Sequence, residues 1–479
     1  MTATSAPLPL NRRAFAKTCV AAGAGALAAP RAGRALSGEP AARPNILFIY
    51  TDDQRYDALG IVQREQGDAG RFPWLRTPNL DRLAEGGLRF RQAFVVNSVC
   101  SPSRSCTLTG TYSHVTGVKD NSTSLPEHNV TIGEMMGEAG YDTGYFGKWH
   151  MGKQTTRPGF DTWASQIGHG WFKDCHLNVN GSTVETKGWL DDVVTDYALS
   201  FMRERRDRPF FAVIGYKAPH SPYDRHDGQT RDYDAVEARP VPNLGRLPGF
   251  VPGADTTRKP LDATELIRNY FRMLDNIDAN IGRVLDALDR EGLAANTLVV
   301  FTSDNGYFLG EHGVGDKRLA YEESIRVPLL ARWPGRIPAG RTSEAMALNI
   351  DFAPTFLELA GAIAPDRLQG LSLTPVFADP AKELRACYFY EYFREKPEHL
   401  QPTVFAVRTR TQKLIHYPET PDRGELFDLA ADPFELKNLI DDPARAALRA
   451  RLERQMVAEA ERLKLPVETL NLNPRKEPT

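Results

Sequence analysis

The feature that most constrains the fold is a pair of apolar runs, each of strand length and each ending in oxygen-bearing side chains. The runs span residues 46–50 and 297–301. Because neither alternates polar and apolar residues, each fits a strand buried on both faces. Four side chains follow them, Asp52 and Asp53 after the first run and Asp304 and Asn305 after the second. If the runs are strands of one sheet, their carboxyl ends bring all four to one edge.

This edge suits a hard cation, because carboxylate and amide oxygens are the ligands such ions prefer. The chain shows no cluster of cysteines and histidines at zinc spacing. A cage of oxygen ligands from the protein alone favours calcium, with magnesium as the less favoured ion. The alternative is that each pair only caps a helix or forms a turn.

The stretch 100–110, which reads CSPSRSCTLTG, concentrates unusual chemistry in eleven residues. Pro102 fixes the backbone two positions after Cys100, and Arg104 adds a permanent cation with a fork of donors. One interpretation is a nucleophile beside an oxyanion clamp. The other is a buried structural cysteine at the start of a helix that ends near Thr109-Gly110.

This stretch resembles the signature of the type I sulfatases, Cys-x-Pro-Ser-Arg followed by Thr-Gly. The resemblance implies that a formylglycine-generating enzyme oxidises Cys100 to an aldehyde, which hydrates to a geminal diol, and that Arg104 is catalytic. It also implies that Asp52, Asp53, Asp304 and Asn305 bind calcium. The implied fold is the α/β sandwich shared with alkaline phosphatases: a large, mostly parallel central sheet flanked by helices, and a smaller C-terminal antiparallel sheet with a helix.

Two further segments resemble the family after predicted strands. Residues 147–152 read GKWHMG, where the family has leucine in place of Met151. The resemblance implies that Lys148 holds a sulfate oxygen and that His150 hydrogen-bonds the diol. Residues 217–222 read KAPHSP, which implies that His220 protonates the leaving alcohol and that Lys217 contacts the sulfate.

A last segment, 316–328, resembles the family run that carries a sulfate-binding lysine, here Lys317. We predict that Glu322, Glu323 and Arg326 in this run form structural ion pairs. His114 and His312 lie in segments similar to those of sulfatases that act on the 6-sulfate of N-acetylglucosamine or on related glycans. We predict that both contact the substrate, and that His114 is an alternative proton acceptor to His150.

The chain begins with a segment that resembles a twin-arginine export signal. Arg12 and Arg13 precede Phe15 and Lys17, and residues 18–30 are uncharged and rich in alanine and glycine. We predict that residues 1–37 direct the protein through the twin-arginine translocase to the periplasm or the extracellular space. The apolar run is too short to serve as a permanent membrane anchor.

The net charge of the chain argues against nucleic acid as a partner. It is −2 over 479 residues, whereas proteins that bind nucleic acid usually carry an excess of basic residues. Besides Cys19 and Cys100, the cysteines are Cys106, Cys175 and Cys387, whose irregular spacing is not a disulfide framework, although one pair could bridge outside the cytoplasm.

We expect a catalytic domain at 43–370 and a C-terminal α+β subdomain at 371–479. In the C-terminal part, strands are predicted at 403–410, 413–417 and 425–429, with a helix at 443–463. The expected activity is hydrolysis of a sulfate ester of a carbohydrate. Two alternatives are a phosphonate monoesterase or phosphodiesterase of the same superfamily, and a non-catalytic glycan-binding protein.

Overall fold

A computed structural model of the protein describes residues 43–472, except for 153–154, 205–206, 224–230, 246–262 and 397–400. The predicted export signal, with Cys19, lies outside the described residues. Residues Ala42–Thr479 form one compact unit. No helix in the described part of the chain is long and apolar enough to cross a membrane.

Sixteen strands and eleven α-helices make up the described structure. The strands are β1 Asn45–Thr51, β2 Leu88–Phe94, β3 Asp142–Gly147, β4 Thr162–Gln166, β5 His176–Val179, β6 Ser182–Glu185, β7 Phe210–Gly215, β8 Thr297–Ser303, β9 Phe308–Leu309, β10 Gly315–Asp316, β11 Leu329–Arg332, β12 Arg341–Leu348, β13 Cys387–Tyr392, β14 Val404–Thr409, β15 Gln412–His416 and β16 Gly424–Asp428. The helices are α1 Gly60–Gln66, α2 Pro78–Glu85, α3 Cys100–Thr109, α4 Ser113–Thr116, α5 Ile132–Glu138, α6 Leu190–Arg203, α7 Thr264–Arg290, α8 Glu322–Ile325, α9 Phe352–Leu359, α10 Thr374–Ala378 and α11 Ala446–Arg462.

The centre of the fold is a ten-stranded sheet in the order β12-β2-β11-β8-β1-β7-β3-β4-β5-β6. Its five middle strands, β8-β1-β7-β3-β4, are all parallel to one another. The register of β1 on β8 pairs Thr51 with Ser303, so the residues that follow these two strands emerge side by side. The predicted strands at 46–50 and 297–301 are thus confirmed as neighbours in one sheet.

Helices cover both faces of this sheet, which explains why β1 is apolar throughout. Leu47 and Ile49 point into one hydrophobic cluster, with α6 and α7. Ile46, Phe48 and Tyr50 point into the other, with α5 and α9. Successive strand residues face opposite sides, so a strand covered on both sides has no position for a polar side chain. The predicted α/β sandwich is confirmed.

The C-terminal part forms a four-stranded antiparallel sheet, β13-β14-β15-β16. Strands β14 to β16 and helix α11 were predicted, whereas β13 was not. The sheet shares a third hydrophobic cluster with residues around α3. Polar contacts reinforce this packing, because Glu322 pairs with Arg408 and Lys413, each at 3.0 Å. The subdomain boundary near residue 370 stays a prediction.

Candidate active site

The site lies where the five parallel strands end. Strand β1 is followed by Asp52, β8 by Asp304, β3 by Lys148 and β7 by Lys217. The sharp exit of β3 depends on Gly147, whose φ is +110°, because a Cβ there would lie 2.0 Å from the Gly215 carbonyl oxygen. Lys148 then donates its backbone N–H to the same oxygen at 2.7 Å. Open α/β sheets bind ligands at this edge.

Three buried carboxylates, those of Asp52, Asp53 and Asp304, lie together there, with oxygens within 4.8 Å of one another. Asn305 joins them by donating its Nδ2 to Asp53 Oδ1 at 2.6 Å. The Oδ1 atom of Asn305 is buried and has no hydrogen-bond partner among the described residues. Carboxylate oxygens beside an unpartnered amide oxygen are a donor set that fits a hard cation.

Helix α3 brings Cys100 to this cluster. The thiol lies 3.3 Å from Asp52 Oδ1 and 3.1 Å from Lys317 Nζ. The helix is held by its serines, since Ser101 Oγ donates to the His150 carbonyl and Ser103 Oγ to the Asp304 carbonyl. Burial, and then the charge of Asp52, raises the pKa of the Cys100 thiol well above its usual range. Cys100 is therefore a neutral thiol, not a thiolate.

Arg104 lies one helical turn after Cys100, on the same face of α3. Its side chain is fully buried, and its guanidinium donates to Asp304 Oδ2 at 2.8 Å, the Lys148 carbonyl at 2.6 Å and Asp52 Oδ2 at 3.3 Å. It also lies 4.7 Å from the centre of the Tyr50 ring. These contacts hold the two carboxylates and the end of β3 in fixed positions. We therefore regard Arg104 as a residue that positions the cluster.

Two buried lysines complete the charge of the cluster. Lys148 Nζ pairs with Asp52 Oδ2, and Lys317 Nζ pairs with Asp53 Oδ1. Although burial disfavours its charge, Lys148 and the neighbouring cations hold the pKa of Asp52 well below its usual range. Burial and the neighbouring carboxylates raise the pKa of Asp304. The neighbouring cations therefore stabilise the negative charge of Asp52 more than that of Asp304.

The open side of the cluster is lined by imidazoles and one further lysine. The rings of His150 and His220 both lie beside His169, with centroids at 4.9 and 4.7 Å. His220 donates its Nδ1–H to the Ser221 carbonyl, which leaves Nε2 facing Asp53 Oδ2 at 3.8 Å. Burial, and then the charge of Lys148, lowers the pKa of Lys217 to about 8.

His169 was not found from the sequence. It lies in the loop after β4, and Lys217 Nζ donates to its Nδ1 at 3.3 Å. A signal for it does exist, because Gly168-His169-Gly170 follows the carboxyl end of a strand next to β3. That strand was not recognised, so the signal had no context.

Two predicted residues lie apart from this cluster. His114 places Nδ1 2.7 Å from Glu391 Oε2 and Nε2 3.0 Å from the Leu463 carbonyl, so both nitrogens are engaged with acceptors. His312 stacks on Tyr321 at 4.1 Å and lies 3.5 Å from Glu323 Oε2. None of these described contacts reaches Cys100. The contacts of both histidines are therefore structural contacts away from Cys100.

No disulfide bond links the cysteines in the described part of the chain. Cys106, Cys175 and Cys387 are free thiols, as is Cys100, among the residues that the structure describes. Two of the three, Cys106 and Cys175, are buried and Cys387 is half-buried.

Two family models match the chain. The sulfatase model matches residues 44–362, more than half of the chain. A model named N-sulphoglucosamine sulphohydrolase, C-terminal, matches residues 310–462.

Individual relatives agree with these matches. An N-acetylglucosamine-6-O-sulfatase of Bacteroides thetaiotaomicron is 33% identical over 474 residues, covering 84% of this chain and 83% of the relative. A structure solved in complex with its substrate, D-glucosamine-2-N,6-O-disulfate, has a TM-score of 0.76 at 30% identity, covering 88% of this chain and 98% of that one. The phosphonate monoester hydrolase of Agrobacterium radiobacter has a TM-score of 0.71 at 22% identity, covering 88% and 96%, which shows a shared fold.

Proposed function

This chain belongs to the sulfatase family, and from that premise we propose that it hydrolyses the 6-sulfate ester of N-acetylglucosamine, or of a closely related unit, in a sulfated glycan. The family makes it a sulfuric ester hydrolase. The choice of sugar rests on the 33% identity to an N-acetylglucosamine-6-O-sulfatase. One observation carries the placement of the site: Cys100 lies between Lys317 and Asp52 at the carboxyl edge of the sheet.

The residues at this edge fit the groups that the family uses. Asp52, Asp53, Asp304 and Asn305 would hold a calcium ion, and Cys100 would be the precursor of formylglycine. When present, the hydrated formylglycine would supply a hydroxyl nucleophile, and the calcium ion would supply positive charge for binding the sulfate. The support for this assignment is the buried oxygen cluster and the unpartnered amide oxygen of Asn305.

The side chains of the protein bind and orient the sulfate. Lys317 and Lys148 flank Cys100 and Asp52, so their ammonium groups attract the negatively charged oxygens of the ester. Lys217 adds a third cation on the open side. Because these groups are buried, they act in a medium of low polarity, where a fixed charge stabilises a charged transition state more than it does in water. Arg104 holds the carboxylates of Asp52 and Asp304 in their relative positions.

In the proposed reaction, His220 is the general acid that protonates the leaving alcohol. Its Nδ1–H is committed to the Ser221 carbonyl, so only Nε2 can exchange a proton with the substrate. Nε2 takes up a proton when the anionic ester binds beside it, and then donates that proton to the ester oxygen as the bond to sulfur breaks. His169 packs against this imidazole, and His150 packs in turn against His169.

The same proposal implies two partners of the protein. A formylglycine-generating enzyme would convert Cys100, and the twin-arginine translocase would export the protein to the periplasm or the extracellular space.

Residues 43–370 would carry the chemistry. The segment 371–479 would support it, because Tyr390 accepts from Ser98 Oγ and donates to the Arg318 carbonyl, each at 2.6 Å.

The test is to produce the protein together with a formylglycine-generating enzyme and to confirm conversion of Cys100 by mass spectrometry. Inorganic sulfate release is then measured from a panel of sulfated monosaccharides, with alcohol release from phosphodiesters and phosphonate monoesters alongside. We expect the highest kcat/KM on 6-sulfated N-acetylglucosamine, and no turnover by Cys100→Ala. Faster alcohol release from the phosphodiesters or phosphonate monoesters would assign the protein to hydrolysis of those esters instead.

A further inference from the structure

The loop at residues 167–171, which we call the rim loop, carries an unusual surface. Trp171 is 72% exposed and Ile167 is 44% exposed, and Trp171 is the one aromatic among the strongly exposed large apolar side chains of the described residues. An indole in water is unfavourable, because apolar surface gains free energy when it leaves water. Tryptophan combines a large apolar ring with one polar N–H group, a combination that is enriched at binding interfaces.

The rim loop is anchored at its base. The Trp171 carbonyl accepts from Cys175 Sγ at 2.8 Å and from Gln166 Nε2 at 3.4 Å. Gly170 has a φ of +60°, and a Cβ there would lie 2.5 Å from Gln166 Nε2, so the turn requires glycine. The exposed indole is therefore presented by a loop whose backbone is tied to β4, not by a free chain end.

The neighbours of Trp171 fix its position relative to the site. His169, two residues before it, accepts from Lys217 Nζ at 3.3 Å. Phe172, the next residue, has its ring 4.6 Å from the same Nζ and stacks on Trp189 with ring centroids 5.3 Å apart. Trp171 thus lies between two residues that contact the candidate site, while its own ring faces solvent. His169, in the same loop, has its ring centroid 4.7 Å from that of His220.

We propose that Trp171, with Ile167, forms a subsite for the sugar unit next to the one that carries the sulfate. This inference rests on the proposed function. A pyranose ring has an apolar face of C–H groups that packs on an aromatic ring, and its hydroxyls stay in water. Because His169 contacts Lys217 and His220 while the Trp171 ring faces solvent, the sugar unit that Trp171 contacts lies beyond the sulfated one. The preferred substrate is then at least a disaccharide.

The test compares two substrates that share the same 6-sulfated N-acetylglucosamine: the free monosaccharide, and a disaccharide in which it is linked to a second sugar. For the converted wild-type enzyme we expect a higher kcat/KM on the disaccharide. Trp171→Ala should lower the ratio of the two values about tenfold, which corresponds to about 1.4 kcal/mol, and Trp171→Phe should restore most of it. Ile363→Ala, at a side chain that is 94% exposed and has no part in the site, is the control.

Equal ratios for the wild type and Trp171→Ala would overturn the subsite. A second measurement does not need turnover: the desulfated disaccharide is titrated into Cys100→Ala protein with and without the Trp171→Ala change. Weaker binding in the double variant supports the subsite even if no sulfated sugar is hydrolysed, in which case only the proposed reaction fails. Unchanged binding overturns the subsite while leaving the reaction standing.

Discussion

Replacing Arg104 with methionine tests whether this side chain organises the buried cluster. Methionine keeps most of the aliphatic volume beside Tyr50, so the change removes charge and donors without opening a large cavity. It leaves Asp304 Oδ2 without its partner at 2.8 Å and the Lys148 carbonyl without its partner at 2.6 Å. It also removes one of the two cations paired with Asp52.

The expected loss of stability is large for a single substitution. Removing one partner from a buried ion pair costs about 3–5 kcal/mol, because the other charge is left buried and uncompensated. Arg104→Lys should fall between the variant and the wild type, since an ammonium group keeps the charge but cannot reach two carboxylates and a carbonyl in one plane. The free energy of unfolding is measured by urea titration in EDTA, so that no cation replaces the guanidinium.

Arg410→Met provides the matched control. This arginine has a side chain that is 60% exposed and pairs with Glu383 at 3.8 Å, so its loss should change the free energy of unfolding by less than about 1 kcal/mol. If Arg104→Met is no more destabilising than Arg410→Met, then the contacts of Arg104 do not hold the carboxylates, and its organising role is refuted.

Three further outcomes are expected. Calcium at a hundred times its Kd should raise the free energy of unfolding by about 2.7 kcal/mol relative to EDTA, and Asn305→Ala should reduce that increment; an equal increment would remove Asn305 from the ligand set. Burial lowers the pKa of His114, but the hydrogen bond and charge of Glu391 outweigh it and the net pKa is raised above 6.5. Its stabilising contribution is therefore complete below pH 6.5 and is lost as the pH rises through the raised value. The difference in thermal midpoint between wild type and His114→Gln should shrink from pH 5.5 to pH 8.5, and a constant difference would contradict this. His169→Ala should lower kcat/KM for sulfate release about tenfold, because Lys217 loses one of its two hydrogen-bond partners, the other being the Ser221 carbonyl. His176→Ala, which changes an exposed histidine of β5, should leave kcat/KM unchanged.

The central strands and their ends were predictable because their constraints are local. A strand covered on both faces must be apolar at every position, so β1 and β8 are visible as uninterrupted runs. Residues that follow the carboxyl ends of neighbouring parallel strands lie at the same edge of the sheet. Once the two runs are assigned as neighbouring strands, the sequence therefore predicts that Asp52 and Asp304 lie close together. The resemblance of short segments to one family supplied Lys148 and Lys317.

The parts that were not predictable depend on distant partners. Strand β4 has only five residues, with polar side chains among them, and its place beside β3 is settled by pairing across the sheet. His169 was missed for that reason. His114 lies in a segment similar to the family, yet its partner Glu391 is 277 residues away. No local pattern reveals that both of its nitrogens are already engaged.

The burial of Cys100 has a consequence for how the protein is made. Its side chain has no exposed surface, since α3 and the ends of the central strands enclose it. If Cys100 is the precursor of formylglycine, as proposed, the modifying enzyme must reach a sulfur that the folded chain shields from a second protein, although a small ester can approach from the open side of the cluster. Conversion would then come before the fold closes. Under the proposed function, the yield of active molecules would depend on whether oxidation of Cys100 precedes folding, and a molecule that folds first would lack the formylglycine nucleophile.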